Sequence, residues 1–369
     1  MGRKKSGADT MAKADIGDMQ IELTSRCNLT CRTCVRAHFF EKWQSRDLSA
    51  GAISSILEQS ADYSSVHLQG WGESLLRSDC PELINRFKQA GVRVSLSSNG
   101  SIMSIDLAQN LLAAGLDSMA FSLAGASPQR HDVLRGRGSF DKCLQSIRIF
   151  NRERQASQPP LVINYLLTPA SIQDLNAMIR LSAELGVDYL VCTNMVYICS
   201  EEQLRMAVYL GRKKYRIRVF FGNLTALLNS IELSLPPLLE VEQPVCAKNP
   251  THNLFIGADG SISPCVNLCP PLLSEYHRYH CGNKYPETRT VFGNINRESL
   301  VDVWQKAEYR TFREMLQKRC DIYNELVQPV SADFDGMEKL MLVQDGVSAM
   351  LASNPPPGPC RICPKLYGM

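Results

Sequence analysis

The sequence predicts an α/β protein: a partial (β/α)6 barrel of the TIM type, followed by a small α+β domain at the C-terminus. Between residues 19 and 193, short runs rich in β-forming residues alternate with amphipathic stretches, the pattern of βα units in a parallel sheet. Right-handed crossovers between these units would wind the strands into a partial barrel. Beyond about residue 240 the pattern changes to a hairpin, a loop and further helices.

Six strands and five helices follow from this alternation. We predict the strands at 19–23, 65–68, 93–97, 118–122, 161–167 and 189–193. The helical patterns between them cover 50–60, 81–90, 105–114, 141–156 and 172–185. Such folds place their chemistry at the carboxyl ends of the strands, so functional side chains are expected at that edge.

The later elements define the division into domains. A helical stretch at 201–214 leads to a proline-containing segment, and we predict a boundary near residue 240. A hairpin centred on Asp259 and Gly260 follows, then a loop at 270–289 and helices around 300–316. The prediction is therefore a flexible tail of residues 1–18, a barrel of 19–240 and a C-terminal domain of 241–369.

Composition limits the class of protein. The 369 residues contain 40 Lys and Arg and 37 Asp and Glu, and this net charge of +3 lacks the basic excess of a nucleic-acid-binding protein. No uninterrupted apolar run approaches the roughly 20 residues that cross a bilayer. The basic N-terminal segment lacks the apolar core of a secretory signal. We therefore expect a cytoplasmic protein without nucleic-acid or membrane partners.

Cysteine is the residue type that points to chemistry. Fourteen cysteines are too few for a secreted disulfide scaffold, in which they exceed roughly 8–10% of residues, yet many for a cytoplasmic enzyme. Cys27, Cys31 and Cys34 form a CX3CX2C arrangement directly after the first strand. Three thiolates can hold three irons of a four-iron, four-sulfur (4Fe-4S) cluster and leave the fourth iron open. Zinc is the alternative, but a structural zinc site needs a fourth ligand, for which His38 is the nearby candidate.

Other polar residues follow the predicted strands at the same edge of the sheet. They are Gly72 and Glu73 after the second strand, Ser98 and Asn99 after the third, and Ser122 at the end of the fourth. Because the carboxyl ends of parallel strands share one edge, these residues and the cysteine loop are expected to form one site.

At the cysteine loop the chain resembles the radical S-adenosylmethionine (radical SAM) superfamily, and the resemblance covers nearly the whole chain. It implies that the open iron of the cluster chelates the amino and carboxylate groups of SAM. One electron from the reduced cluster would cleave SAM to a 5'-deoxyadenosyl radical, which abstracts hydrogen from an unactivated carbon. Thr33 stands where the family often has an aromatic residue that packs on adenine.

The resemblance also implies the residues that bind SAM. Residues 70–73 (GWGE) resemble the family's Gly-Gly-Glu motif, in which a strand-edge carbonyl and the Glu accept hydrogen bonds from the SAM ammonium group. Gly72 and Glu73 match this motif, and Trp71 replaces its first glycine.

Five further residues are candidates for the rest of the cofactor. Ser98 and Asn99 are placed to bind the ribose hydroxyls or the methionine part, and Ser122 is similarly positioned. Arg135 resembles an arginine that pairs with the SAM carboxylate, for which its planar fork is suited. Asn164, on the fifth strand, is a further cofactor-binding candidate.

A second set of cysteines lies in the C-terminal domain. Cys246 and Cys265 flank a conspicuous Gly260, and Cys360 and Cys363 form a CX2C pair near the C-terminus. This arrangement is similar to the auxiliary-cluster domains called SPASM and, in a shorter form, Twitch. The resemblance implies one auxiliary 4Fe-4S cluster with these four cysteines as a closed ligand set.

Alternatives remain open for this second set. The same four cysteines would also suit a structural zinc ion. Cys269 or Cys281 would replace one of the four in a different ligand set, and Cys320 has no assigned role. Cys192 and Cys199 flank the exit of the sixth strand, where they could face the cavity.

The expected activity is hydrogen abstraction from a small polar substrate, followed by dehydrogenation through the auxiliary cluster or by epimerisation. Epimerisation needs a hydrogen donor, and Cys199 is the candidate catalytic thiol. The single auxiliary cluster resembles that of antibiotic-sugar dehydrogenases and epimerases and of the enzyme that rearranges GTP for the molybdenum cofactor. Residues 68–73 (LQGWGE) resemble tungsten-cofactor maturation factors. Flavodoxin or ferredoxin is implied as the reductant.

Two other functions stay open. The substrate could be a peptide, as in many SPASM proteins, although these often carry a leader-binding module of about 80 residues and only about eighteen residues precede the first strand here. The chain could also be a non-enzymatic electron-transfer or iron-sensing protein with two clusters. SAM cleavage would separate the enzymes from this third class.

Overall fold

Six parallel strands form the centre of the molecule, as the alternation in the sequence predicts. The computed structural model describes residues 16–154, 158–208, 231–236, 240–327 and 336–369. The strands are β1 (Asp18–Ile21), β2 (Ser65–Leu68), β3 (Arg93–Ser98), β4 (Ser118–Leu123), β5 (Leu161–Leu167) and β6 (Tyr189–Asn194). They pair in sequence order, each parallel to the next, and their bounds agree with the predicted ones to within two residues. The chain thus forms the expected partial barrel.

Helices connect these strands. The first eight are α1 (Val35–His38), α2 (Ala50–Glu58), α3 (Cys80–Gln89), α4 (Ile105–Ala113), α5 (Pro128–Arg135), α6 (Ser139–Glu153), α7 (Leu175–Glu184) and α8 (Glu201–Met206). Ser49 and Ser104 cap α2 and α4 by accepting hydrogen bonds from the N–H groups of Ala52 and Leu107. Of the helix predicted at 201–214, residues 209–214 lie outside the described residues.

The prediction did not include α5, which comes directly after β4. It begins at Pro128, a residue whose fixed φ suits the first turn of a helix. Its sequence is mostly polar, so it lacked the apolar stripe that reveals the other helices. Its last residue, Arg135, nevertheless belongs to the candidate site.

The sheet continues on both sides of the six central strands. Strand β7 (Glu232–Ser234) pairs parallel with β6, and β8 (Leu254–Ile256) pairs parallel with β1. Strand β9 (Ser261–Ser263) is antiparallel to β8, and this confirms the hairpin predicted around Asp259 and Gly260. Gly260 has a φ of +81°, which glycine adopts without strain. The described strands on both sides of the predicted boundary at residue 240 therefore share one sheet.

The loop predicted at 270–289 is wrong, because this segment contains a second, two-stranded sheet. Strands β10 (Tyr276–His280) and β11 (Asn283–Glu287) are antiparallel and meet at Cys281 and Gly282. Both turn residues have positive φ values, 49° and 81°, as a type I′ hairpin turn requires. A Cys-Gly pair is not the usual signal for this turn, which explains the omission.

The described residues of the C-terminal region complete the fold with three helices. Strand β12 (Gly293–Asn294) pairs with β9, and α9 (Leu300–Gln305), α10 (Ala307–Val327) and α11 (Gly336–Ser353) follow. The helix pattern predicted around 300–316 is interrupted at Lys306, whose ψ of 138° is not helical. The final residues 354–369 contain only 3-10 turns, as their prolines predict. Among the described residues no helix is long and apolar enough to cross a membrane.

The two faces of the central sheet differ in polarity. On β3, β4 and β5, the apolar side chains of Leu96, Phe121 and Ile163 are fully buried in the main hydrophobic core. Most of the residues that alternate with them are small or polar and line a cavity, for example Ser122 and Asn164. Since successive side chains of a strand point to opposite faces, this alternation builds a core on one face and an open lumen on the other.

Arg319, on α10, holds the segments that carry the second set of cysteines. Its side chain is fully buried and donates hydrogen bonds to the carbonyl oxygens of Pro244 and Asn354, at 2.9 and 2.6 Å. It also pairs with the carboxylate of Glu242 at 2.7 Å. One guanidinium group therefore joins the chain before Cys246 to the chain that leads to Cys360.

We expect Arg319→Lys to lower the free energy of unfolding by about 3 kcal/mol, because an ammonium group cannot replace the guanidinium fork in a buried network. Thermal unfolding of the reconstituted protein measures this loss. The matched control is Arg310→Lys on the same helix, where the side chain is exposed and its pair with Glu314 is 3.8 Å long. Equal melting temperatures for the two variants would contradict this role of Arg319.

Candidate active site

The three cysteines after β1 line one cavity at the carboxyl edge of the sheet. We call it the upper cavity; its volume is about 350 Å³, and Cys27, Cys31 and Cys34 all contribute to its wall. Burial is the main cause that raises the pKa of Cys34 to about 12, and Cys31 and Cys27 raise it further. The three thiols are therefore close to one another. This is the arrangement that a cluster with three protein ligands requires.

The loop is held by its own backbone and by a side chain from α8. The N–H group of Cys34 donates to the carbonyl oxygen of Cys31 at 2.9 Å. The amide of Gln203 donates to the carbonyl oxygen of Arg32 at 3.0 Å. His38 packs edge-to-face against Phe39 and does not line the cavity, so it is not placed as a fourth zinc ligand.

The loop after β2 lies directly against the cysteine loop. A Cβ atom on Gly72 would be 2.1 Å from the carbonyl oxygen of Thr24 and 2.6 Å from that of Arg26. The N–H group of Glu73 donates to the same oxygen of Arg26 at 2.8 Å. Only glycine fits at position 72, and the two loops are positioned as one unit.

Glu73 in turn joins the loop after β2 to the loop after β3. Its carboxylate accepts hydrogen bonds from the N–H groups of Asn99, at 2.7 Å, and Leu75, at 3.2 Å. The side-chain amide of Asn99 donates to Asn28 at 3.0 Å and lies 3.9 Å from the sulfur of Cys27. Burial raises the pKa of Glu73, and the nearby charge of Arg135 opposes this effect.

The predicted SAM-side residues converge on the upper cavity, with one exception. Its wall includes Thr33, Gly72, Glu73, Ser98, Asn99, Ser122 and Arg135. Asn164 lies deeper in the barrel, next to Ser122 on the neighbouring strand, and lines only the second cavity. The Nε atom of Arg135 and the Oδ1 atom of Asn194 are buried and form no hydrogen bond with any described residue. Such unpaired polar atoms in a cavity wall fit a polar ligand like SAM.

A second cavity continues from the first into the barrel. We call it the inner cavity; its volume is about 570 Å³, and it shares Trp71, Ser122 and Arg135 with the upper one. Most of the residues in its wall carry polar side chains. The ring of His67 lies within hydrogen-bond distance of Ser95, at 2.7 Å, and burial lowers its pKa to about 4, so it is neutral near pH 7.

The four cysteines predicted for the auxiliary cluster line a third, smaller cavity, which we call the four-cysteine pocket. It is formed by Cys246, Cys265, Cys360 and Cys363, with apolar walls that include Leu268, Leu316 and Leu366. Three residues of its wall, Lys248, Asn267 and Lys365, also line the inner cavity. The pocket and the inner cavity are therefore neighbours.

The hairpin β10–β11, which the sequence did not predict, supports this pocket. Arg278 on β10 is buried and pairs with Glu287 on β11 at 3.1 Å. It also donates to the carbonyl oxygen of Pro359 at 3.1 Å, directly before Cys360. The hairpin thus helps to place the CX2C pair.

The alternative cysteines lie elsewhere. Cys269 is buried and accepts a hydrogen bond from Arg289 at 3.0 Å, and Cys281 is exposed at the hairpin turn. Cys320 is half-buried on α10. None of the three lines the four-cysteine pocket. The ligand set with Cys246, Cys265, Cys360 and Cys363 is the one that the geometry favours.

Among the residues that the structure describes, no three His, Cys, Asp or Glu side chains are placed to hold one metal ion.

The structure does not support the prediction that Cys199 and Cys192 face the cavity. Cys199 is completely buried, its S–H group donates to Gln203 at 3.0 Å, and it packs with Tyr197 and Tyr276. Neither cysteine lines the upper or the inner cavity. A sequence places a residue after a strand but does not show which way the chain turns there, and this explains the error.

One important residue, Glu22, was missed by the sequence reasoning. The buried carboxylate of Glu22 accepts hydrogen bonds from the N–H groups of Trp71, at 2.6 Å, and Ala258, at 3.1 Å. Burial raises its pKa to about 7. The indole N–H of Trp71 donates to the carbonyl oxygen of Val266 at 3.2 Å. The sequence did contain a signal for Glu22, because it is a Glu inside the apolar strand run MQIEL. A carboxylate buried in such a strand needs hydrogen-bond partners, and this would have indicated a structural role.

Comparison with known proteins identifies the class of protein that this fold and site define. The sequence model of the radical SAM superfamily matches residues 21–182, and that of the SPASM iron-sulfur cluster-binding domain matches 246–324. The chain belongs to the radical SAM superfamily and has a C-terminal SPASM domain. Its cofactors are accordingly SAM and two 4Fe-4S clusters.

Individual relatives are distant but extend over most of the chain. A Pyrococcus furiosus protein described as a tungsten-containing aldehyde ferredoxin oxidoreductase cofactor-modifying protein is 23% identical over 80% of this chain and 82% of its own. An AdoMet-dependent heme synthase from Methanosarcina barkeri is 24% identical over 82% and 86%. The crystal structure of anSMEcpe with bound AdoMet and a peptide superposes with a TM-score of 0.57 at 17% identity, over 81% of this chain and 83% of that one. At this level of sequence identity, the similarity to anSMEcpe shows a shared fold.

We expect Gly72→Ala to weaken SAM binding about tenfold or more, because the added Cβ would push the cysteine loop away from its position. The measurement is SAM binding at equilibrium, with iron content determined on the same reconstituted sample. Gly51→Ala is the matched control: it lies in α2, and its Cβ would have only Ser49 Oγ near it, at 4.0 Å. The interpretation fails if both alanine variants bind SAM like the unmodified protein.

Proposed function

We propose that this protein abstracts a hydrogen atom from an unactivated carbon of a small polar substrate bound in the inner cavity, and that the overall reaction is a dehydrogenation. One observation carries the proposal. The inner cavity lies between the three-cysteine loop and the four-cysteine pocket and shares wall residues with the cavities of both. A substrate there would be adjacent to both cofactor sites.

Each cofactor has a defined set of candidate residues. We assign the SAM-binding cluster to Cys27, Cys31 and Cys34, and the auxiliary cluster to Cys246, Cys265, Cys360 and Cys363. When bound, SAM on the open iron supplies a hydrogen-abstracting carbon radical, and the auxiliary cluster supplies an acceptor for one electron.

The chain's own residues bind and orient SAM. The guanidinium group of Arg135 suits the SAM carboxylate, since its Nε is buried without a partner among the described residues. Glu73 is fixed by two backbone N–H groups, so its oxygens are held in position to accept from the SAM ammonium group. Thr33, Ser98, Asn99 and Ser122 provide polar contacts along the remaining wall.

The polarity of the inner cavity supports a small polar substrate. Serine, asparagine, glutamine and histidine side chains from six strands line it, and an apolar substrate would offer them no hydrogen-bond partner. The names of the two relatives that align over about four fifths of both chains describe cofactor modification and heme synthesis. Both names describe work on cofactors, and this favours a small molecule over a peptide.

Dehydrogenation is favoured over epimerisation by the position of the thiols. The substrate would lose one hydrogen atom, then one electron and one proton, so that two hydrogens leave in total. Epimerisation needs a hydrogen donor in the cavity, and among the described cysteines Cys199 is buried against Gln203 instead. Asn164 lies on the inner cavity, and we assign it to the substrate rather than to SAM. Flavodoxin or ferredoxin is the proposed electron donor.

The test uses anaerobically reconstituted protein with dithionite, SAM and deuterated candidate substrates, small molecules and peptides alike. We expect formation of 5'-deoxyadenosine that contains the substrate deuterium, and a product that lacks this deuterium and one further hydrogen. With the unlabelled substrate the product should be two mass units lighter. The double variant Cys360→Ala/Cys363→Ala should still cleave SAM but lose about 100-fold in product formation. Cys320→Ala is its control, because Cys320 lies outside the four-cysteine pocket.

Three outcomes would contradict the proposal. If SAM stays intact while both clusters are present, the chain would be a non-enzymatic iron–sulfur protein. Solvent deuterium gained at one carbon, together with loss of activity in Cys199→Ser, would show epimerisation with Cys199 as the hydrogen donor. Turnover of a peptide alone would show a peptide-modifying maturase.

A further inference from the structure

Two lysines lie where the inner cavity meets the four-cysteine pocket. Lys248 comes two residues after Cys246, and Lys365 comes two residues after Cys363. Both side chains line the inner cavity and the four-cysteine pocket. Two distant segments of the chain thus bring positive charge to the same end of the cavity.

Neither charge is paired with a carboxylate in the described part of the protein. Lys248 donates to the side-chain oxygen of Gln20 at 3.2 Å, a neutral partner from β1. Neither lysine has an ion pair with a described carboxylate, and the inner cavity wall contains no Asp or Glu among the residues described. Asp18 lines an adjoining cavity and accepts a hydrogen bond from Ser65. The cysteines of the four-cysteine pocket are the acidic groups on one side of the lysines. The inner cavity, on their other side, offers the two cations no acidic partner from the described residues, so an anionic group of a ligand is expected to bind there.

We propose that Lys248 and Lys365 form an anion-binding subsite that takes a carboxylate or phosphate group of the substrate. The inference rests on the proposed function, in which the substrate occupies the inner cavity. The third cation of the inner cavity wall is Arg135. It lies where the inner cavity joins the upper cavity, whereas the lysines lie where it meets the four-cysteine pocket. An anionic group held by the lysines would therefore orient the rest of the substrate toward the SAM site.

Another role for the lysines is to offset the negative charge of a cluster bound by four thiolates. The contact of Lys248 argues for more than this role, because its Nζ is directed at Gln20, a side chain of the barrel wall. Neutral groups beside it, such as Gln20 and Asn267, can donate further hydrogen bonds to an anion. The subsite would thus combine two charges with directional polar contacts.

The test measures binding of small anions to the reconstituted holoenzyme with SAM but without reductant. Succinate and inorganic phosphate are the probes for the two kinds of anion, and succinamide is the uncharged control. We expect at least one anion to bind, succinamide not to bind, and Lys248→Gln/Lys365→Gln to weaken anion binding about tenfold or more. Lys365→Arg should retain binding, and Lys284→Gln, an exposed residue on β11, should behave like the unmodified protein.

A second measurement needs no variant. Acetic anhydride labelling followed by mass spectrometry should show that the bound anion slows acetylation of Lys248 and Lys365 but not of Lys284. The subsite is overturned if neither anion protects these lysines. It is also overturned if the glutamine variants alter only the potential of the auxiliary cluster and bind the anions unchanged. Since no turnover is required, anion binding without SAM cleavage would refute the proposed function alone.

Discussion

The close contact between the loops after β1 and β2 is the constraint on which the site depends. Gly72 leaves no room for a side chain against the carbonyl oxygens of Thr24 and Arg26, and the N–H group of Glu73 bonds to one of them. Through Glu73 the loop after β3 is joined to the same unit. The cysteines therefore occupy a position defined by backbone contacts, which are more rigid than contacts between flexible side chains.

The same region couples the barrel to the C-terminal domain. The carboxylate of Glu22 bonds to the N–H groups of Trp71 and Ala258, and the indole of Trp71 reaches the carbonyl oxygen of Val266. Strand β8 adds directly to β1 in the parallel sheet. The SPASM domain is thus joined to the strand that precedes the cysteine loop, and the position of one cluster site depends on the other half of the chain.

Local patterns were sufficient to predict the central sheet and much of the candidate site. The strand bounds follow from alternating polarity, and residues such as Glu73 and Ser122 follow from their place at strand ends. The missed elements lacked a local signal: α5 is polar, and the hairpin β10–β11 turns at an unusual Cys-Gly pair. Lys248 and Lys365 could not be found either, because only long-range folding brings these two segments together. Cys199 was assigned by its neighbours in sequence, whereas its direction depends on packing against Gln203.

The central claim is that the loop with Cys27, Cys31 and Cys34 holds a cluster whose open iron binds SAM, while the four-cysteine pocket holds a closed one. Electron paramagnetic resonance of the reduced protein, with and without SAM, tests it most directly. SAM should change the spectrum of the unmodified protein. The triple variant Cys27→Ala/Cys31→Ala/Cys34→Ala should keep about half of the iron and give a spectrum that SAM does not change. A spectrum of the triple variant that responds to SAM, or an unmodified protein that does not respond, would contradict the account.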